Sequence, residues 1–308
     1  MKIYRDISEI EGAGKSVVTV GTFDGIHKGH VDIIKFVVDE AEKDKAENFV
    51  VTFEPHPRLV VSKKFDIGIL TAFEEKAALF EKLNVQNLLV VNFNNEFADI
   101  SHEEFVKSYL VDKINASHIV IGHDHKFGKG RSGDENKLLH LANQLNFRLT
   151  VIPAVYADGL EVSSTKIRNA LTSGNLTDAN KLLGRYYSLK GLVVEGVQRG
   201  REIGFPTANI EPLNKSKLIP MNGVYAVKCS ISGEKYSGVL NIGKRPTFEN
   251  QDKVFIELHI FDFEQDIYGK PVELEFVERI RDEKKFNLVN ELVEQINFDI
   301  KKAKQIFN

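Results

Sequence analysis

Gly21-Thr-Phe-Asp-Gly-Ile-His-Lys-Gly-His30 follows the apolar, β-type run Val17–Val20 and precedes an amphipathic stretch, Val31 to Ala41. In that stretch Ile34, Val37, Val38 and Ala41 recur at helical spacing. A strand, a glycine-rich turn and a helix start make a cradle for phosphate, because backbone N–H groups and the helix dipole both face the anion. His27 and His30 lie three residues apart, so near a helix start they share a face. Two imidazoles there can bind the charge that develops when a triphosphate is attacked.

Outward from this stretch the first half of the chain alternates. Strand-like runs are expected at Val17–Val20, Phe49–Phe53, Leu88–Phe93, His118–Gly122 and Leu149–Pro153. Helical patterns lie between them at Val31–Lys45, Phe73–Leu83, Glu103–Ile114 and Glu135–Leu145. Ser101 and Glu104 form a capping box at the third helix. Alternating βα units of this length imply a doubly wound, parallel α/β sheet, whose ligands bind beyond the carboxyl ends of the strands. The Gly21–His30 loop stands at such an end.

Two short helices, Thr165–Leu171 and Thr177–Leu183, close this half, and the pattern then changes. β-rich segments follow at Lys190–Val197, Val224–Ile231, Lys235–Ile242, Val254–Ile260 and Val272–Ile280, separated by turns such as Ser232-Gly233 and Asp266–Lys270. Short strands without intervening helices read as an antiparallel barrel or sandwich. Leu292, Ile296, Ile300 and Ile306 mark one face of a C-terminal helix within Leu288–Phe307. The expected division is into residues 1–184 and 185–308, with a tight junction near Gly184-Arg185.

A chain of 308 residues is comfortable for two domains. The formal net charge of −3 argues against a nucleic-acid surface, whose footprint is a strongly basic face, yet leaves room for one nucleotide at a local positive site. The lone cysteine, Cys229, sits in an apolar stretch and reads as core rather than nucleophile. No apolar run approaches the ~18 residues of a spanning helix, and the N-terminus has no signal-peptide core, so a cytoplasmic chain without a membrane partner is expected.

The run G-T-F-D-G-x-H-x-G-H resembles the signature of the nucleotidyltransferase superfamily, in the branch containing the flavin adenylyltransferases. Its alternative is a metal site built from Asp24, His27 and His30, which lacks a further spaced ligand set. Three more segments resemble the same branch. Thr52-Phe-Glu-Pro-His-Pro57 is similar to T-F-x-P-H-P, although His56 taken alone is equally a plain loop histidine. Ile121–Arg131 is similar to the G-x-D-F-x-F-G loop that lines the flavin and nucleotide pocket: Asp124, Phe127 and Gly128 keep their places, and His125 replaces the usual aromatic. Lys126, Lys129 and Arg131 there are phosphate-friendly or merely solvated. Val162-Ser-Ser-Thr-Lys-Ile-Arg168 is similar to I-S-S-T-x-I-R. Physically it is a helix start with hydroxyls and a cation, suited to terminal phosphates, or a plain N-cap.

In the second half, Gly200-Arg-Glu-Ile-Gly-Phe-Pro-Thr-Ala-Asn209 resembles the G-x-x-x-G-x-P-T-A-N of riboflavin kinases. Its glycines let backbone approach phosphate, and the Thr207 hydroxyl and Asn209 amide are hard oxygen ligands suited to Mg²⁺. Asn241–Phe248, Phe255–Asp262, Asp266–Gly269 and Arg279–Phe286 resemble further segments of that family. Glu257, between apolar Ile256 and Leu258, is expected to face into a barrel mouth and to take the proton of an attacking alcohol. His259 reads as structural.

The resemblance implies a Rossmann-like nucleotidyltransferase sheet, then a small Greek-key barrel with a C-terminal helix. It implies two ATP-dependent steps: phosphorylation of riboflavin to FMN by the second domain, and adenylylation of FMN to FAD and pyrophosphate by the first. His27, His30 and Glu257 are then catalytic. Gly21, Phe23, Asp24, Gly29, Ser164, Thr165, Arg168, Gly200, Gly204 and Thr207 hold ATP and its phosphates. His56, Asp124, His125, Phe127 and Arg245 meet flavin, and Thr207 with Asn209 holds Mg²⁺. The implied partners are small molecules (riboflavin, FMN, FAD and ATP), with self-association left open. The rivals are another nucleotidyltransferase, which has no use for Gly200–Asn209, and a flavin carrier with decayed sites.

Overall fold

The computed structural model describes residues 1–61, 67–196, 203–244 and 254–307. The chain divides into two compact units, Met1–Ser164 and Thr165–Asn308.

The first unit is built on six parallel strands: β1 (Lys2–Tyr4), β2 (Ser16–Val20), β3 (Glu47–Glu54), β4 (Asn87–Asn92), β5 (Ala116–Gly122) and β6 (Arg148–Ile152). Their order across the sheet is β1-β4-β3-β2-β5-β6. The helices are α1 (Lys28–Asp44), α2 (Pro57–Val61), α3 (Phe73–Lys82), α4 (Asn95–Ala98), α5 (His102–Glu104) and α6 (Glu135–Leu145). The hairpin β7 (Tyr156–Ala157) and β8 (Leu160–Glu161) follows.

Both faces of the sheet are covered, which is why its strands read as continuous apolar runs. Val18, Phe49, Leu89 and Ile119 face one core, with Phe105, Leu110 and Leu138. Val50, Leu88 and Val90 face another, with Phe80 of α3 and Ile34 of α1. The helix expected over Glu103–Ile114 departs from α geometry. After one turn of α5, capped by Ser101 Oγ on the Glu104 N–H (3.1 Å), Phe105–Val111 continues as a π-helix. The short edge strand β1 was not anticipated from the sequence.

The strand order dictates where a ligand can sit. The chain runs outward from β2 through β3 to β4, then returns to add β5 and β6 on the opposite side of β2. This reversal is a topological switch point, where loops leaving neighbouring strands diverge and open a crevice. The loops after β3, β2 and β5 are Glu54–Pro57, Gly21–His27 and the segment from His123.

In the second unit α7 (Ser164–Thr172) and α8 (Leu176–Leu183) precede the strands β9 (Tyr187–Val194), β10 (Ala208–Pro212), β11 (Gly223–Ile231), β12 (Glu234–Lys244), β13 (Val254–Ile260) and β14 (Pro271–Arg281). The strands close an antiparallel barrel in the order β10-β13-β12-β11-β14-β9, with β9 also pairing β10. Strand β10, which begins at the end of the segment read as a phosphate loop, was not anticipated either. Asn180 of α8 donates to the Phe276 carbonyl (2.9 Å) and accepts the Tyr187 N–H (2.8 Å), so α8 is fastened to the barrel. The last helix, α9 (Val289–Phe307), covers the outer side of β11 and β14, where Val224, Ala226 and Ile280 meet Ala303.

Candidate functional sites

The Gly21–His30 loop is shaped from within. Phe23, Gly25 and Ile26 have positive φ of 46°, 95° and 35°. Left-handed backbone is costly at the two non-glycine residues and persists only where surroundings over-determine it. Here both side chains are driven into the core: Phe23 is 2% and Ile26 1% exposed, and Phe23 packs edge-on against Phe80 at 5.7 Å. Gly21 leaves little room for a side chain, since a Cβ there would lie 3.1 Å from the Phe23 ring.

This turn delivers His27 as the N-cap of α1, its Nδ1 accepting the His30 N–H at 3.3 Å. An accepting Nδ1 places the proton of a neutral imidazole on Nε2, leaving a donor for a ligand. The His27 and His30 rings stack at 3.6 Å between centroids and 17° between planes, and Phe23 meets His30 edge-on at 5.2 Å. A Cβ on Gly29 would sit 3.4 Å from the His27 ring, in ordinary contact with it. The two imidazoles, the positive end of α1 and the amides of its first turn converge at the switch point, a ready site for a phosphate chain.

Asp24 turns inward. Its carboxylate is 2% exposed and accepts the backbone N–H of Leu70 (2.9 and 3.1 Å) and of Thr71 (3.0 Å). Its main-chain carbonyl accepts the Ser164 hydroxyl at 2.7 Å, so the last residue of the first unit is tied to the same loop. Thr165 and Arg168 follow in the first two turns of α7. His56 is 9% exposed and accepts the Arg58 N–H on Nδ1 (3.1 Å), which holds its ring in the loop after β3.

Beyond β5, the His125 N–H bonds the Gly122 carbonyl (3.1 Å) in a tight turn, and its ring stacks on Phe127 at 5.3 Å and 27°. Asp124 is exposed beside it. Gly128 needs its positive φ of 71°, and a Cβ there would come within 2.7 Å of the His102 backbone. The aromatic floor that Phe53, Phe97 and Phe105 build beneath Phe127 was not singled out from sequence. Lys76 was also missed. It is 3% exposed under the Gly21–Asp24 turn, and its signal is a lysine where the period of α3 (Ala72, Phe80) calls for an apolar residue.

In the barrel, register lines three polar residues in a row across adjacent strands: Asn209 opposite Glu257, and Glu257 opposite Asn241. Ile256 and Leu258 are buried, so alternation puts Glu257, half-buried, on the opposite face of β13. A Cβ on Gly196 would lie 1.8 Å from the Asn209 amide nitrogen, so bare backbone seats that side chain. His259 Nδ1 donates to the Pro206 carbonyl (2.9 Å) and anchors the strand entry that carries Thr207. Thr207 immediately precedes β10, two residues before Asn209 within that strand. Gly204 has φ of 87°, a glycine conformation. Gly200 and Arg245 lie outside the described residues. Burial pushes the Cys229 thiol up to about 12, as befits a core cysteine.

The family model for FAD synthetase matches residues 9–166, and that for riboflavin kinase matches residues 183–307. The bifunctional riboflavin kinase/FMN adenylyltransferase of Bacillus subtilis is 39% identical over 97% of this chain and 94% of its own length. That of Escherichia coli K12 is 34% identical over 100% and 98%. The crystal structure of a Streptococcus pneumoniae chain described as a macrolide-efflux protein matches with a TM-score of 0.89 and 33% identity over 98% of each chain. Among the described residues here, no helix is long and apolar enough to cross a membrane. With its halves matched in turn and its whole length aligned, the chain belongs to the bifunctional riboflavin kinase/FMN adenylyltransferase family.

Proposed function

We propose that this chain makes FAD from riboflavin in two ATP-dependent transfers, working in the cytoplasm, with residues 1–184 carrying the adenylyl transfer and 185–308 the kinase. The observation that carries the first assignment is the stacked His27–His30 pair at the start of α1, at the switch point of the sheet.

In the first domain an oxygen of the FMN phosphate attacks the α-phosphorus of ATP. A new P–O bond forms, the bond to the β-phosphate breaks, and pyrophosphate leaves with the electron pair. His27, through its Nε2–H, and His30 stabilise the charge that grows on the α-phosphate and the departing oxygen. Ser164, Thr165 and Arg168 hold the β- and γ-phosphates. His125, stacked on Phe127, and His56 line the side where the flavin enters. Asp24 shapes the loop without touching nucleotide, consistent with its buried carboxylate. No covalent intermediate is needed, because positioning and electrostatics suffice.

In the barrel, Glu257 accepts the proton of the ribityl hydroxyl as that oxygen attacks the γ-phosphorus, and ADP leaves. The residues present suit Mg²⁺ held mainly by nucleotide phosphates. Among the described residues no group of three or more His, Cys, Asp or Glu is placed to hold a metal, whereas Thr207 and Asn209 offer neutral hard oxygens, Asn209 against the bare backbone of Gly196. When bound, the ion would supply charge neutralisation on the phosphates.

The test is a time course of the purified chain with riboflavin, ATP and Mg²⁺, resolved by chromatography. FMN appearing first and FAD later is expected. If neither riboflavin nor added FMN is converted, the assignment fails.

A further inference from the structure

We propose that Lys76 is a positioning residue of the adenylyl-transfer site: its buried ammonium pins the Thr22 carbonyl and offsets Asp24 beneath the phosphate-binding loop. This rests on the reading of Gly21–His30 as that site.

Lys76 belongs to α3, in line with Ala72 and Phe80 on the face turned into the core. Phe80 is 0% exposed and Lys76 3%. A lysine here is costly, since an ammonium loses its hydration on burial and an apolar residue would complete the helix face more cheaply. Its compensation is all directed at one place. Nζ donates to the Thr22 carbonyl at 3.1 Å, and Asp24 and Glu54 are the anions that act on it. Burial pulls its pKa below the ordinary lysine value, while Asp24 and then Glu54 work in the opposite direction. Glu54, at the end of β3, is raised by its own burial, opposed by Lys76. Around this trio, Glu74 and Arg5 also act on Glu54.

The carbonyl that Lys76 holds sits between Gly21 and Phe23, where the chain enters its left-handed turn. Thr52 Oγ1 of β3 donates to the same oxygen at 3.3 Å. Two donors, from a helix and from the neighbouring strand, thus fix the start of the turn that ends in His27. The charge has a second consequence. The loop that must accept a polyanion contains a carboxylate, Asp24, 2% exposed in surroundings where Coulomb repulsion is weakly screened. Two backbone N–H groups, of Leu70 and Thr71, and the Lys76 cation offset that charge. Without the cation, the loop that receives the triphosphate keeps the Asp24 carboxylate and loses the ammonium that offsets it.

The experiment uses the full chain with Lys76→Met, Lys76→Met/Asp24→Asn and, as comparator, His30→Ala. The asparagine of the double variant keeps an acceptor for the Leu70 and Thr71 N–H groups while removing the charge. Lys76→Met is expected to lower kcat/KM for ATP in FMN adenylylation by roughly 100-fold, the scale of a 1 Å misplacement. The KM for FMN and the riboflavin kinase rate stay put. Adding Asp24→Asn is expected to recover about tenfold of the loss. Lys76→Met within about threefold of wild type would overturn the proposal. So would a loss that Asp24→Asn leaves unrestored, with the first unit melting lower, because Lys76 would then merely support the fold. An active His30→Ala would instead sink the underlying site assignment.

Discussion

Asp299→Ala tests how the barrel is finished. Asp299 on α9 is 2% exposed, and Arg281, the last residue of β14, donates to it from Nε (3.0 and 2.9 Å) and from Nη2 (2.8 Å). Gln295, one turn earlier on α9, adds a fourth bond at 3.0 Å. Removing the carboxylate leaves the guanidinium with the Asp282 carbonyl (2.8 Å) and the Phe286 ring beneath it at 5.9 Å. Breaking a buried pair from one side costs about 3–5 kcal/mol. The Arg281 side chain is 22% exposed, so water can partly replace the lost acceptor, and the low end, about 3 kcal/mol, applies. For a unit of about 150 residues, each kcal/mol moves Tm by about 2–4 °C, so a fall of about 6–12 °C is expected. The assay is the temperature at which half of the riboflavin phosphorylation survives a fixed heating step, with FMN adenylylation followed on the same samples. A fall of that size in the kinase half, with the adenylyl-transfer half unmoved, is the expected result. A shift below about 2 °C would refute the reasoning, since water would then replace the lost carboxylate almost completely.

Two further outcomes are expected. Gly196→Ala places a methyl against the Asn209 amide, so riboflavin phosphorylation should fall with a raised KM for Mg-ATP while FMN adenylylation is unchanged; equal kinetics would show that Asn209 is not seated there. His118 is 1% exposed, its Nδ1 facing Arg148 (2.7 Å) and its Nε2 facing Thr150 (2.8 Å), and burial, helped by Arg148, holds its pKa down to about 4. Below pH 6.5 the unfolded chain binds a proton that the folded chain refuses. The contribution is therefore complete above pH 6.5 and is lost as pH falls toward 4, by up to about 3 kcal/mol. Urea unfolding of wild type and His118→Gln at pH 7 and 4.5 checks this: the wild type should lose more stability, and parallel losses would contradict it.

The alternation of strands and helices was legible because parallel strands covered on both faces leave apolar runs that only short loops interrupt. What failed had little apolar signal to offer. Strand β1 is three residues at a sheet edge with only Tyr4 buried, and β10 is five residues that follow Pro206 closely and end on Pro212, which look like loop. The π-helical Phe105–Val111 keeps its apolar side chains, so its periodicity passes for an α-helix. At the site, residue types and spacing located the His27–His30 pair but not directions. Asp24 and Phe23 stand in the middle of the signature, yet both turn into the core, because the left-handed turn reverses the chain there. Glu257 was expected to face into a barrel mouth; it is half-buried on the strand face opposite the buried Ile256 and Leu258. Lys76 belongs to no motif and is visible only as a break in the apolar period of α3.

The central claim is one chain with two separable sites, and the most direct measurement is a pair of variants in one assay. Glu257→Gln and His30→Ala are each incubated with ATP and Mg²⁺ and either riboflavin or FMN, and the flavins are separated over time. Glu257→Gln should fail to make FMN while still converting supplied FMN to FAD. His30→Ala should accumulate FMN and make little FAD. Loss of both conversions in each variant, with folding intact, would contradict the account.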